Sequence, residues 1–443
     1  MRFYDRQDEL TILKKANSQK NKRSLMTLIV GRRRVGKTTL ALKVDKESLY
    51  FFVSRKDEKL LCEEFVEELK SKGYEIYGKF EKFEELFGFI LSLSEKNPLT
   101  LIIDEFQDFY KVNPSIFSSI QKLWDLNKDK SNLHLIICGS VYSLMKKIFE
   151  EEKEPLFGRA DYKLHLMPFK PYTLKEILLD NNVYTPLNLL DFYIITGGVA
   201  KYIELLVLRN ALTLKDMVDE IVSPFSLFLD EGKNRLIEEF GKEYQTYFSI
   251  LSLIASSKTS KSEMESILEK NISGYLDRLE KDYNVVRSVK PLNAKRSSKL
   301  QKYEIVDNFL NFWFRFIYKY RSYVESENFD TLRKIILRDF NTFRGKFLEK
   351  LFKELLQSKF TVIGNYWERG NKNEIDIVGI DDFNKKLLIV EVKLNPEKAD
   401  LNDLILKSRK LLSQYKEYEV EYKILSVDEI DNILGNKYGT LKS

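Results

Sequence analysis

Ser24-Leu25-Met26-Thr27-Leu28-Ile29-Val30-Gly31-Arg32-Arg33-Arg34-Val35-Gly36-Lys37-Thr38-Thr39-Leu40 is the stretch on which the fold turns. The apolar run Leu25–Val30 reads as a buried strand, and it stops abruptly at Gly31. From Gly31 to Thr38 the residues fit G-x-x-x-x-G-K-[ST] without a mismatch. Gly31 and Gly36 permit backbone angles that a side chain would forbid, so successive N–H groups can turn inward around a phosphate. Lys37 then supplies a point charge for the β- and γ-phosphates, Thr38 a hydroxyl for Mg²⁺, and a helix starting near Gly36 its positive end. Gly31, Arg32, Arg33, Arg34, Val35, Gly36, Lys37, Thr38 and Thr39 are therefore the expected nucleotide-binding loop. The bland alternative is a Gly-bounded basic turn between an ordinary strand and helix. Strand, loop and helix come in the order the motif demands.

At 443 residues the chain is too long for one typical core, so two to four domains are expected. A composition 43% hydrophobic and 32% charged belongs to a soluble globular protein and argues against disorder. The net charge of +6 permits nucleic-acid binding without arguing for it. Cys62 and Cys138 are the two cysteines, in helix-like and strand-like stretches, so no disulfide framework is indicated and a reducing cytoplasm is the natural setting. No apolar run approaches a membrane span, and the N-terminus lacks a signal-peptide core. His134 and His165 lie in apolar strand-like runs, which suits core or strand-end positions better than metal ligation.

Working outward, residues 3–13 read as an amphipathic helix, 49–53 as a strand, and 58–69 and 83–93 as helices, the alternation an α/β sheet requires. Leu99–Asp104 is an apolar strand that ends in two acids, Asp104 and Glu105. Beside a P-loop, that pattern suits an Asp104 that holds Mg²⁺ and a Glu105 that polarises an attacking water. A solvated strand end with helix-capping acids is the alternative. Residues 133–138 form another apolar strand before Gly139-Ser140, which places Ser140 to sense a γ-phosphate unless it is a simple turn. Arg159, ahead of a strand over 162–166, is a candidate for charge stabilisation in hydrolysis, from its own or a neighbouring subunit. A lone Arg is more often a surface charge.

Asp5-Arg6-Gln7-Asp8-Glu9-Leu10, the P-loop, Asp104-Glu105-Phe106-Gln107, Phe157-Gly158-Arg159 and Gly197-Gly198-Val199-Ala200-Lys201-Tyr202 together resemble the archaeal-type ATPases. That family belongs to the STAND branch related to AAA+ ATPases, and the similarity spans roughly the first half of the chain. It usually carries a proline, part of the wall around the nucleotide base, where this chain has Ala200. Helices over 174–179, 187–195, 200–208 and 214–221 follow, and the resemblance implies that they form a lid over the nucleotide.

From residue 244 the pattern changes. Helices over 247–255, 262–268 and 272–281 fit a helix-turn-helix, and strand-like arms over 284–290 and 300–306 fit a wing. Arg287, Lys290, Lys295, Arg296, Lys299, Lys302, Arg315, Lys319 and Arg321 face only Glu304 and Asp307 in that region, a clustering expected where DNA backbone is contacted. The aromatics of 309–316 are expected in the core. Next come a helix containing Phe343, Phe347, Leu351 and Leu355, strands over 360–364, 374–380 and 387–393, a helix over 401–415 and a strand over 420–427. A symmetric hairpin with Ile380 opposite Leu387 sets Asp376 opposite Glu391. Glu374, Asp376, Glu391 and Lys393 then share one face and Ile375, Ile377, Val390 and Val392 the other, so that one face works and the other packs. The element order resembles the PD-(D/E)xK nuclease core that the family carries as its DUF234-type C-terminal domain. The resemblance implies catalytic Asp376, Glu391 and Lys393, with Glu349, Asp376 and Glu391 as metal ligands.

The expectation is an α/β chain: a P-loop NTPase parallel sheet (1–170), a helical lid (171–240), a winged helix (241–325) and a C-terminal restriction-endonuclease-like domain (326–443). Its expected chemistry is ATP hydrolysis with Mg²⁺, coupled to action on DNA, with Mg²⁺ or Mn²⁺ at the nuclease-like site. The alternatives are an ATP-switched DNA- or protein-binding regulator that cuts nothing, or a scaffold that makes subunit contacts in a homo-oligomer.

Overall fold

The computed structural model describes residues 2–241, 244–292, 294, 300–370 and 372–435. Lys295, Arg296 and Lys299, the centre of the expected basic wing, lie outside these described residues. Two compact units divide the chain, one of them Phe3–Pro168 and the other the described residues from Phe169 onward together with Arg2. Among the described residues no helix is long and apolar enough to cross a membrane.

The first unit is built on β1 (Leu25–Val30), β2 (Leu49–Phe52), β3 (Leu99–Asp104), β4 (Leu133–Gly139) and β5 (Tyr162–His165). They pair in the order β2-β3-β4-β1-β5, every neighbour parallel. All residues of β1, β3 and β4 are buried, as parallel strands covered on both faces must be. Alternate side chains feed two cores. Ile29, Ile102, Ile136 and Cys138 pack with Leu13 of the helix Gln7–Gln19 and with Leu40 and Ala41 of Lys37–Leu42. Met26, Leu28, Leu101, Ile103, Leu135 and Ile137 pack on the other side with Phe65, Phe87, Ile120 and Ile148. There Phe51 stacks on Phe65 at 4.2 Å, worth about 0.5–1.5 kcal/mol beyond the area it buries. The helices Ser115–Asn127 and Tyr142–Glu150, which supply Ile120 and Ile148, were not part of the sequence expectation. The buried His134 donates from Nδ1 to Asn17 Oδ1 at 3.2 Å and bonds through Nε2 to Thr27 Oγ1 at 2.9 Å, a core position as expected.

β4 thus separates the P-loop strand from the strand ending in Asp104. Whatever follows β4 emerges between the loop and the acids.

The second unit begins with the helices Pro171–Asp180, Pro186–Thr196, Ala200–Leu208, Leu214–Ile221 and Leu227–Phe240. Tyr244–Ala255, Lys261–Leu268 and Ser273–Lys281 follow, then the antiparallel pair β6 (Val286–Val289) and β7 (Lys302–Ile305), with Ser260 bridged to Lys302. The aromatic segment is core, as expected: Phe309, Phe312, Phe314 and Phe316 are fully buried, with Trp313–Tyr318 wound as a π-helix. The 28-residue helix Phe329–Leu356 is tied to Pro186–Thr196 by Arg344, which forks onto Asp191 at 2.6 and 2.7 Å.

β8 (Val362–Tyr366), β9 (Ile375–Asp381), β10 (Lys386–Val392) and β11 (Glu419–Leu425) form a mixed sheet in the order β11-β10-β9-β8. The hairpin register is the expected one: Leu387 faces Ile380 and Val390 faces Ile377. The division into a working and a packing face needs correction. Val378, Ile380, Leu387 and Ile389, on the Asp376 side of the pleat, pack with Leu404 and Leu411 of the helix Leu401–Leu412. Only the end of that face that carries Asp376, Glu391 and Lys393 is polar, because the helix covers the rest.

Candidate functional site

The P-loop departs from expectation in how it uses its glycines. Gly36 has φ 96° and caps the helix Lys37–Leu42 from the left-handed region, as anticipated. Gly31 needs room instead: a Cβ there would stand 2.5 Å from the Leu166 carbonyl oxygen. Gly31→Ala should therefore cost about 1–3 kcal/mol of stability through overpacking against backbone. Urea denaturation checks this, and a midpoint equal to wild type would show that the loop yields. Arg34 (φ 70°) and Glu105 (φ 52°) also occupy the left-handed region, which non-glycine residues adopt mainly where surrounding structure enforces it. Val35 is buried, Arg32 and Arg34 are half-buried, and Arg33 and Thr39 are exposed.

Lys37 is buried, and its Nζ donates to the carbonyl oxygens of Gly31 (2.9 Å) and Arg32 (3.1 Å). Burial pushes its ammonium below its usual range, against the upward pull of the Glu105 and Asp104 charges. Thr38 Oγ1 donates to Asp104 Oδ2 at 2.5 Å, and Tyr50, from the neighbouring β2, donates to the same oxygen at 3.1 Å. The other Asp104 oxygen accepts the Glu105 N–H at 2.9 Å. A hydroxyl beside a buried carboxylate is a hard-oxygen pair that suits Mg²⁺.

Glu105 Oε2 accepts from Gln107 Nε2 and from Ser140 Oγ, each at 2.6 Å. Ser140 N–H completes a ring by donating to Gln107 Oε1 at 3.3 Å. Lys37, Thr38, Asp104, Glu105 and Ser140 are thus gathered by three adjacent strand ends. Arg159 is not: it forks onto Asp125 (2.8 Å for Nη2 to Oδ2), and its remaining bonds go to the carbonyls of Pro155 and Phe157. Within its own chain it acts as an ion-pair residue. Tyr50 and Gln107 have no role in the sequence reading. Tyr50 becomes visible only through the pairing of β2 with β3, whereas Gln107 stood in the quoted motif without a partner to give it meaning.

A second cluster lies in the C-terminal sheet. Lys393 Nζ is 2.9 Å from Glu391 Oε1 and 3.7 Å from Asp376 Oδ2, which also accepts the Val392 N–H at 2.8 Å. Lys407 stands 3.6 Å from the other Glu391 oxygen. Burial, then the charge of Asp376, pushes Glu349 up to about 8. Burial raises Asp376 as well, opposed first by the Val392 N–H and then by Lys393. Glu349, Asp376 and Glu391 are nevertheless not assembled as a metal set: among the described residues no group of three or more His, Cys, Asp or Glu side chains could hold an ion. The Lys393 ammonium pairs with both strand carboxylates. The basic wing also shrinks, because Arg287 pairs with Glu304 at 3.0 Å, Lys302 with Glu374 at 2.8 Å and Arg321 with Glu325 at 2.7 Å.

Comparison with known proteins fits this geometry. Residues 3–206 match the family described as an ATPase domain predominantly from Archaea, and residues 313–404 match one described as archaeal and bacterial proteins of unknown function. An uncharacterized protein of Methanocaldococcus jannaschii is 30% identical, with 98% of this chain and 96% of that protein covered. The chain belongs to this archaeal-type ATPase family. A Walker-type ATPase of Pyrococcus abyssi shares its fold at a TM-score of 0.53 and 19% identity, covering 71% of this chain and 96% of that one. The ORC2 protein of Aeropyrum pernix, solved with ADPNP and ADP, is 16% identical over 75% of this chain and 95% of its own, at a TM-score of 0.47. The protein is a P-loop ATPase of this family, and the P-loop lies in its first unit.

Proposed function

We propose that this ATPase hydrolyses ATP at the P-loop to control the second unit in an action on DNA, with 1–170 as motor core, 171–240 as lid, 241–325 as winged helix and 326–443 as effector. The observation that carries the reading is the bonded set Lys37, Thr38, Asp104, Glu105 and Ser140 around one loop. Lys37 exchanges its loop carbonyls for the β- and γ-phosphates. Thr38 and Asp104, bonded to each other here, would hold Mg²⁺, which would neutralise charge on the phosphates. Glu105 orients and deprotonates the attacking water, and Ser140 faces the γ-phosphate. Arg159 of a neighbouring copy would be available for charge stabilisation only after leaving Asp125. The three helices 244–281 with the β6–β7 pair support the DNA partner, since a winged helix reads or grips duplex backbone.

One observation favours a second reading of the effector, phosphodiester cleavage: Lys393 bridges two carboxylates on adjacent strands, an arrangement suited to steadying charge on an attacked phosphate. Mg²⁺ or Mn²⁺ would enter only by displacing that ammonium from Asp376 and Glu391. A protein that binds DNA or a protein partner without cutting is the competing outcome. Nicking of supercoiled DNA in Mn²⁺ by wild type, Asp376→Ala and Lys393→Ala separates the two. Cleavage that both variants lose supports the nuclease reading, whereas DNA binding without cleavage leaves an ATP-switched binder. Nicking equal in all three proteins would point away from this cluster altogether.

A further inference from the structure

Glu105, the proposed base, takes its side-chain bonds from beyond its own strand. Beyond Asp104 the backbone of Glu105 turns into the left-handed region (φ 52°, ψ 40°), and the chain tightens into the short 3₁₀ turn Phe106–Asp108. That turn carries Gln107 back under Glu105. Gln107 is 1% exposed, so its amide has been taken from water and must find its bonds inside. It finds both at the site: the Nε2 donates to Glu105 Oε2 at 2.6 Å, and Oε1 accepts the Ser140 N–H at 3.3 Å. Ser140 Oγ reaches the same Glu105 oxygen at 2.6 Å. Two donors thus converge on one carboxylate oxygen, and a single amide connects the end of β3 to the residue after β4.

We infer that Gln107 is a positioning residue for ATP hydrolysis. It fixes the Glu105 carboxylate through Oε2 and so leaves Oε1 to take the water's proton, and through Ser140 it ties that orientation to the strand end that faces the γ-phosphate. The inference rests on the assignment of Glu105 as the base. The physical reason is rotational freedom: a glutamate side chain has three torsions, and a general base that is not held spends most of its time out of reach of the proton. Gln107 bonds to Glu105 and Ser140 rather than to Lys37, Thr38 or Asp104, so its loss should reach the rate and spare the affinity.

The test compares steady-state ATP hydrolysis and ATP binding by the full chain as wild type, Gln107→Met, Ser140→Ala, Glu105→Gln and the double variant Gln107→Met with Glu105→Gln. Methionine keeps the volume of glutamine without its polar ends. Gln107→Met should lower kcat by about tenfold with KM and ATP affinity within about twofold of wild type, whereas Ser140→Ala should lower kcat through the other donor and weaken ATP binding as well, because Ser140 faces the γ-phosphate. In the Glu105→Gln background the Gln107 substitution should cause no further loss, because the group it positions is gone. A kcat for Gln107→Met within twofold of wild type overturns the inference, as does an equal further drop on top of Glu105→Gln. If Glu105→Gln itself hydrolyses ATP at the wild-type rate, the base assignment fails first and the role of Gln107 falls with it. Should Gln107→Met not fold, Gln107→Glu, which keeps the shape but removes the donor to Glu105, and its combination with Glu105→Gln give the same comparison.

Discussion

Lys37→Ala is expected to lower ATP affinity by about a hundredfold or more, roughly 3 kcal/mol, with the fold retained. The size follows from what the loop offers without the lysine. Its N–H groups still turn inward and Gly36 still starts the helix, but the buried cationic group is lost from a site where the Asp104 and Glu105 charges repel phosphate. Burial has already stripped the Lys37 ammonium of water, and the carbonyl oxygens of Gly31 and Arg32 take its protons. A phosphate therefore replaces weak acceptors by charged ones at little desolvation cost. Calorimetric titration with ATP reads this directly, and equal affinity for wild type and Lys37→Ala would remove the site from the loop.

Glu105→Gln should divide binding from chemistry. Hydrolysis should fall by about a hundredfold or more, within the range that a lost general base produces, while ATP affinity changes by less than about threefold. Thr38 and Asp104 remain in place, and the new amide oxygen can still accept from Gln107 and Ser140, so the phosphate and Mg²⁺ groups are undisturbed. A variant that hydrolyses at the wild-type rate would move the base elsewhere. One that loses binding in parallel would make Glu105 a structural residue.

Much of this site was legible because the motif binds chemistry to local geometry. The spacing from Gly31 to Thr38 specifies strand, loop and helix within sixteen residues, and an apolar strand ending in Asp104-Glu105 carries its own polarity signal. The C-terminal hairpin was legible for a related reason, since a symmetric turn fixes register and Leu387 does face Ile380. What escaped depends on neighbours. Tyr50 joins Asp104 only because β2 pairs with β3, and Gln107 joins Ser140 only because β4 is inserted beside β3. The apolar half of the Asp376 face is packed because the helix Leu401–Leu412 lies on it, a tertiary fact that alternation along one hairpin does not contain. The helix Ser115–Asn127 is a different case, for its buried Ile116, Ile120 and Trp124 stand four apart and the helical period is in the residues themselves. A tally of charge along the chain counts Arg287 and Lys302 but not their pairing, which brings Glu304 across the hairpin and Glu374 from just before β9.

The most direct test of ATP hydrolysis at this loop is steady-state phosphate release by the full chain, with Mg²⁺ and with EDTA, measured beside Lys37→Ala and Glu105→Gln. Turnover that needs Mg²⁺ and disappears in both variants is predicted, whereas phosphate release at the same rate in all three proteins would contradict it.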